Sequence, residues 1–152
     1  IRNRMSFVYK VYAYETSHQI SDPGAIRFGL WKGTLDLIFM SPKSLLFGKG
    51  LETFPYEFSI NRPESLNYSS EWDFVFNKPH NYLLEIWYEI GLVGLCLYFF
   101  IFISILRKSS SELLPFWIGY FITNIFGWPS VYANLLFYIF MVSCHYEKNI
   151  EL

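Results

Sequence analysis

IGLVGLCLYFFIFISIL, residues 90–106, carries no formal charge over seventeen positions and is closed by Arg107 and Lys108. As an α-helix rising 1.5 Å per residue it covers roughly 25 Å, and Trp87 and Tyr88 extend it toward the hydrocarbon thickness of a bilayer, about 30 Å. The stretch predicts a membrane-spanning helix over residues 87–106. A soluble helix of this length needs a polar face, and this sequence supplies none.

Beyond the polar knot RKSSSE lie two more apolar runs, Leu113–Trp128 and, after Pro129, Tyr132–Cys144. Each is short for a span, at the length where tilted helices compete with re-entrant segments. They predict two further transmembrane helices, 113–128 and 132–146. Between Ile90 and Tyr146 only Arg107, Lys108 and Glu112 are ionised at neutral pH. Basic residues in short loops mark the cytoplasmic side, so Arg107 and Lys108 are expected inside. Residues 1–88 and the turn Gly127–Val131 then lie outside, and the tail with Lys148 returns inside. The expected fold class is an all-α membrane protein: an extracytoplasmic loop region, 1–88, with an amphipathic helix, followed by about three transmembrane helices within 89–152.

The composition of the 152-residue chain agrees with a membrane location. It is 53% hydrophobic, 22% aromatic and 16% charged, against about 25% charged in an ordinary soluble domain, which excludes disorder. A net charge of −1 with scattered Lys and Arg leaves no basic stripe, so membrane lipids are expected partners and nucleic acid is not. Cys96 and Cys144 sit in apolar stretches and read as buried structural thiols. No charged n-region followed by an apolar run opens the chain, so no signal peptide is expected. With Ile1 in first place, the sequence reads as a fragment of a larger multi-span protein.

Most of the formal charges and five of the seven prolines precede residue 90. Within this part, Ala25–Met40 (AIRFGLWKGTLDLIFM) sets Ile26, Leu30, Trp31, Leu35 and Ile38 at helical spacing, with Ser21 or Asp22 placed to cap it and Ser41-Pro42 to stop it. It predicts an amphipathic helix on the membrane surface or against other helices. Leu45–Asn77, rich in Gly, Pro, Asn and Ser with aromatic residues between, reads as a long irregular loop. Pro79 is placed as the first residue of a helix running through His80 into the span.

Few residues suggest chemistry. His18, His80 and His145 are too far apart for metal-ligand spacing, so neither metal nor cofactor is expected. Gly48-Lys49-Gly50 lacks the first glycine and the Ser/Thr of a phosphate loop. His80 falls at the water boundary, and Asn81, Glu85 and Glu89 follow it at four-residue steps on one helix face. A histidine there serves as a proton acceptor near neutral pH or as a capping group. Arg27 and Trp31 lie one turn apart, and Arg27 either binds a phosphate or snorkels to headgroups.

The order of these features carries more than any one of them. R-x-x-x-W (Arg27, Trp31), the stop Ser41-Pro42, G-x-G (Gly48, Gly50), an aromatic loop, P-H-N-Y-L (Pro79–Leu83) and E-I-G-L-V-G-L (Glu89–Leu95) together resemble the O-antigen ligase family. The resemblance covers residues 24–106, and the rest follows by hydropathy. It implies a metal-independent glycosyltransferase of the bacterial inner membrane with its site facing the periplasm. Such an enzyme moves a glycan from undecaprenyl diphosphate to an acceptor hydroxyl, as on the lipid A core of lipopolysaccharide. His80 matches the family histidine that activates the acceptor and Arg27 an arginine that holds the diphosphate. Asn81, Trp31 and Glu89 accompany them as candidate donor or acceptor contacts. Polymerases of lipid-linked O-antigen, capsule or exopolysaccharide repeats share this pattern and take another lipid-linked glycan as acceptor. A family arginine further upstream has no counterpart, since Arg2 and Arg4 match no motif, so the site is expected to be incomplete in this chain. The reading from another class is a non-enzymatic membrane subunit or transporter fragment. A transport pathway would place ionisable residues inside the span, and residues 90–106 have none.

Overall fold

The computed structural model describes residues 23–127 and 131–150, which form six α-helices and one 3-10 turn, with no strand among the described residues. In chain order these are α1 (Pro23–Ile38), α2 (Pro42–Phe47), α3 (Phe54–Ile60), the 3-10 turn (Glu64–Tyr68), α4 (Tyr82–Lys108), α5 (Leu114–Ile125) and α6 (Val131–Ile150). Arg2, Arg4, His18 and the expected caps Ser21 and Asp22 lie outside the described residues.

Helix α1 occupies the segment expected to be amphipathic. Its buried face contains Ile26, Leu30, Leu37 and Ile38, and also Gly29, Gly33 and Thr34, which a search for large apolar residues passes over. Side-chain atoms at Gly29 and Gly33 would come within 2.7 Å of Leu66 and of Phe58 and Pro63, so the stripe without side chains lets the later segments lie directly on the helix. Ser41 ends α1's run by starting another helix: its hydroxyl accepts the Ser44 N–H at 3.1 Å, and Pro42 occupies the first turn.

The segment expected to be an irregular loop is instead folded around a core. Phe54, Phe58, Leu66 and Phe76 are buried together with Ile26, Leu30, Leu37, Ile38 and Tyr88. Phe54 and Phe58, one turn apart on α3, stack at 4.8 Å between centroids, and Tyr88 meets Phe54 edge-on at 5.3 Å. Each fully buried aromatic ring contributes about 1.5–3 kcal/mol toward offsetting the ordering cost of the short helices between the glycines and prolines. Glycine and proline punctuate this segment and do not leave it unstructured.

Helix α4 is the one described helix long and apolar enough to cross a membrane, and it is broken. Gly91 has φ 79° and ψ −175°, so residues 82–90 and 92–108 form two rods meeting at a glycine hinge. The break is filled by the chain after α2: Lys49 N–H donates to the Tyr88 carbonyl at 2.8 Å and Gly50 N–H to the Glu89 carbonyl at 3.0 Å. The first rod belongs to the polar half of the molecule. The second carries an exposed apolar surface that includes Leu97, Phe100, Ile101 and Ile103. Cys96 is a free and exposed thiol on this rod, against the buried position expected from its apolar neighbours.

Helices α5 and α6 fold back along the second rod. Phe102 stacks on Phe121 at 5.2 Å and Trp117 Nε1 donates to Ser109 Oγ at 2.7 Å, so α5 runs antiparallel to α4. Phe137 packs on Trp117 and Tyr120, and Tyr120 donates to Asn134 Oδ1 at 2.7 Å, which sets α6 antiparallel to α5. Phe102, Ile105, Trp117, Tyr120 and Phe137 form this second core.

Candidate functional site

The polar half brings Arg27 and His80 to one cleft. Pro23, Ile26, Arg27 and Leu30 of α1 line it with Glu71 and His80, around a volume of about 120 Å³. A wider groove of about 420 Å³ adjoins it, lined by Glu71, Asp73, Phe74, Val75, Phe76, Asn77 and His80. His80 and Glu71 line both.

His80 reaches this position through its backbone. It has φ 54°, a left-handed conformation uncommon for a residue other than glycine. Pro79 before it is fully buried, and Asn81 after it is extended and caps α4, its Oδ1 accepting the Leu84 N–H at 3.0 Å. The sequence reading placed Pro79 and His80 inside the helix, whereas the helix begins at Tyr82. The reason is local: Asn is among the strongest N-cap residues, and here its side chain satisfies an amide in the first turn. His80 therefore stands in the turn leading into the helix. Strain of this kind is held by its surroundings and collects at functional positions.

Burial lowers the His80 pKa below the ordinary 6.5, the positive charge of Arg27 lowers it further, and Glu71 opposes both. Both effects favour the neutral imidazole, the form able to accept a proton.

The other sequence candidates are placed differently. Asn81 is 8% exposed and committed to the cap. Trp31 packs on the first core and against Phe126, 6.3 Å between centroids, with its indole N–H buried and unpartnered among the described residues. Glu89 accepts the Glu52 N–H at 3.1 Å, holding a turn in which Glu52 has φ 56°, and it lines neither cavity. Glu85 is buried and bound by Lys78 Nζ at 2.6 Å. The acidic helix face read behind His80 is thus engaged in structure, and Glu71, from the loop, faces the histidine instead. Among the described residues no group of three His, Cys, Asp or Glu side chains is arranged to hold a metal ion.

Two residues of this region stand outside the motifs above. Glu71 carried no motif. Arg62 organises the loop that presents it: Nη1 donates to the Phe74 carbonyl at 3.2 Å, and Nη2 to those of Leu66 at 2.9 Å and Glu71 at 3.1 Å. The guanidinium also lies 4.9 Å from the centroid of Phe76. An arginine within a Pro- and Asn-rich segment was the available signal, since five donors in a planar fork suit several carbonyls at once. A lysine can keep the charge but cannot span three carbonyls. Arg62→Lys is therefore expected to destabilise the polar half by about 1–3 kcal/mol and to speed limited proteolysis within residues 66–77. Unchanged cleavage there would remove this role.

No protein-family model, curated protein or solved structure matches this chain.

Proposed function

We propose that this chain belongs to a membrane glycosyltransferase of the O-antigen ligase type, which moves a glycan from undecaprenyl diphosphate to an acceptor hydroxyl. The observation that carries the proposal is the convergence of Arg27, from α1, and His80, from the turn before α4, on one cleft. The order of motifs alone does not require these two side chains to meet. A planar guanidinium suits the developing charge of a diphosphate leaving group, and a neutral, half-buried imidazole suits a base.

The step balances with these two groups. The acceptor oxygen attacks the anomeric carbon of the lipid-linked sugar and gives its proton to His80. The bond from that carbon to the diphosphate oxygen breaks, and undecaprenyl diphosphate leaves with the electron pair beside Arg27.

Membrane insertion is part of the same reading. The apolar window of α4 is mostly exposed, unlike the core helix of a soluble protein, so lipid or further spans must cover it. We assign residues 92–106 to the hydrocarbon and residues 23–90 to the periplasmic side, with Arg107 and Lys108 in the cytoplasm. Helix α5, twelve residues long, covers roughly 18 Å and crosses only with local thinning of the bilayer.

Two measurements on the full-length protein test this. A single cysteine at Ser65 should react with an impermeant reagent in intact spheroplasts and one at Ser110 should not; the reverse pattern overturns the topology. Arg27→Lys should lower transfer at least about tenfold, because a point charge loses the bidentate contact. Near-normal transfer would return Arg27 to a headgroup-facing role.

A further inference from the structure

We infer that the groove beside His80 is the acceptor subsite, and that it takes a sugar unit bearing no phosphate or carboxylate next to the reacting hydroxyl. This rests on the glycosyltransferase reading above and adds what that reading lacks, a reason for acceptor choice.

The two cavities share His80 and Glu71 and differ in charge. The smaller contains Arg27, and no acid beyond Glu71. The larger contains Glu71 and Asp73 with no cation in its lining. A diphosphate is drawn to the first and repelled by the second. A hydroxyl-rich ring fits the second, because carboxylates accept hydrogen bonds from hydroxyls and the amide of Asn77 both donates and accepts. Phe74 supplies an apolar surface: the residue is 58% exposed while its carbonyl is held by Arg62. An aromatic face of this kind packs on the C–H face of a sugar with little ordering cost. About 420 Å³ lies within the range of small-molecule sites, about 300–1,000 Å³. His80, on the boundary, reaches an acceptor in the groove and a donor in the cleft. The two substrates are thereby sorted by charge onto the two sides of one base.

The test uses the full-length protein in detergent and neutral trisaccharides of glucose, galactose and N-acetylglucosamine, each with and without a terminal phosphate monoester. Saturation-transfer NMR titrations should show binding of at least one neutral member, with its phosphorylated form weaker by about two- to fivefold, the scale of one exposed charge interaction. Asp73→Lys, at an exposed position, should abolish or reverse that preference while the protein stays folded by circular dichroism. Phe74→Ala should weaken neutral binding about three- to tenfold. Binding of no member, or an unchanged preference in Asp73→Lys, overturns the subsite.

A parallel transfer assay separates the two proposals. With a lipid-diphosphate donor, Asp73→Lys should change the acceptor KM and leave the donor KM alone. A donor KM that moves instead overturns the subsite and leaves the transferase standing. Absence of transfer with the sugar preference intact overturns the transferase and leaves a sugar-binding groove.

Discussion

His80→Ala in the full-length protein should leave an inserted, folded enzyme whose transfer is lower by about 10²–10⁴-fold, the usual contribution of a positioned base. His80→Gln should be nearly as poor, since it hydrogen-bonds but accepts no proton at neutral pH. The backbone separates catalysis from folding at this position. With φ at 54°, His80→Gly should relieve a left-handed strain of about 1–2 kcal/mol, giving a protein at least as stable as the parent yet equally inactive.

The pH dependence has a defined sign. Burial, and then Arg27, lower the His80 pKa below 6.5, so the proton-accepting form is favoured at pH 7. The acid limb of kcat/KM, which reports the free enzyme, should fall below pH 6.5. Removing the neighbouring charge with Arg27→Gln should move that limb upward, while Arg27→Lys leaves it nearly in place. The same lowering makes the unfolded chain bind the proton more readily. Stability is therefore full above the unfolded histidine pKa and declines as pH falls through the folded one. An acid limb unmoved by Arg27→Gln, together with retained transfer by His80→Gln, would place the base elsewhere.

How much of this was legible in the sequence depends on the kind of signal. The long apolar run and its basic stop could be read directly, because seventeen uncharged residues leave a helix few alternatives. The α1 stripe could be read at Ile26, Leu30 and Ile38 but not at Thr34 and Leu37, nor at Gly29 and Gly33, which enter a packing face by having no side chain and leave no mark on a hydrophobic pattern. Residues 45–77 differ from the expected loop because their order comes from contacts with residues distant in sequence, Phe58 on Gly33 and Leu66 on Gly29, together with Arg62 on carbonyls of its own loop. At the site, Arg27 and His80 could be proposed individually. Their meeting, and the part of Glu71, depended on that long-range packing. Asn81 and Glu89 had suitable chemistry and suitable spacing, yet the helix cap and the Glu52 turn engage them.

Gly91 breaks the apolar run that the sequence pattern reads as one helix, and Gly91→Ala is expected to be severely damaging. A Cβ there would lie 2.2 Å from the Leu46 carbonyl oxygen and 2.4 Å from the Phe47 nitrogen. Both are backbone atoms, so no rotamer change relieves the overlap. Moving that backbone also strains the Lys49–Tyr88 and Gly50–Glu89 hydrogen bonds, which hold the chain across the break. Left-handed strain of about 1–2 kcal/mol, overpacking of about 1–3 and two weakened bonds at about 0.5–1.5 each sum to about 3–8 kcal/mol. That rivals the whole stability of a typical domain, about 5–15 kcal/mol. The chain has another escape, because alanine favours a continuous helix from Tyr82 to Lys108. That would swing residues 82–90, and the His80 turn before them, away from α1 and part the base from Arg27. Folded protein in the membrane should fall sharply, and what remains should be inactive. Gly119→Ala is the matched control: it lies in α5 with nothing within 4 Å of its added Cβ and should gain up to about 1 kcal/mol of helix propensity. If Gly91→Ala accumulates and melts like Gly119→Ala, the break in α4 is incidental, and the approach of His80 to Arg27 must be held by other contacts.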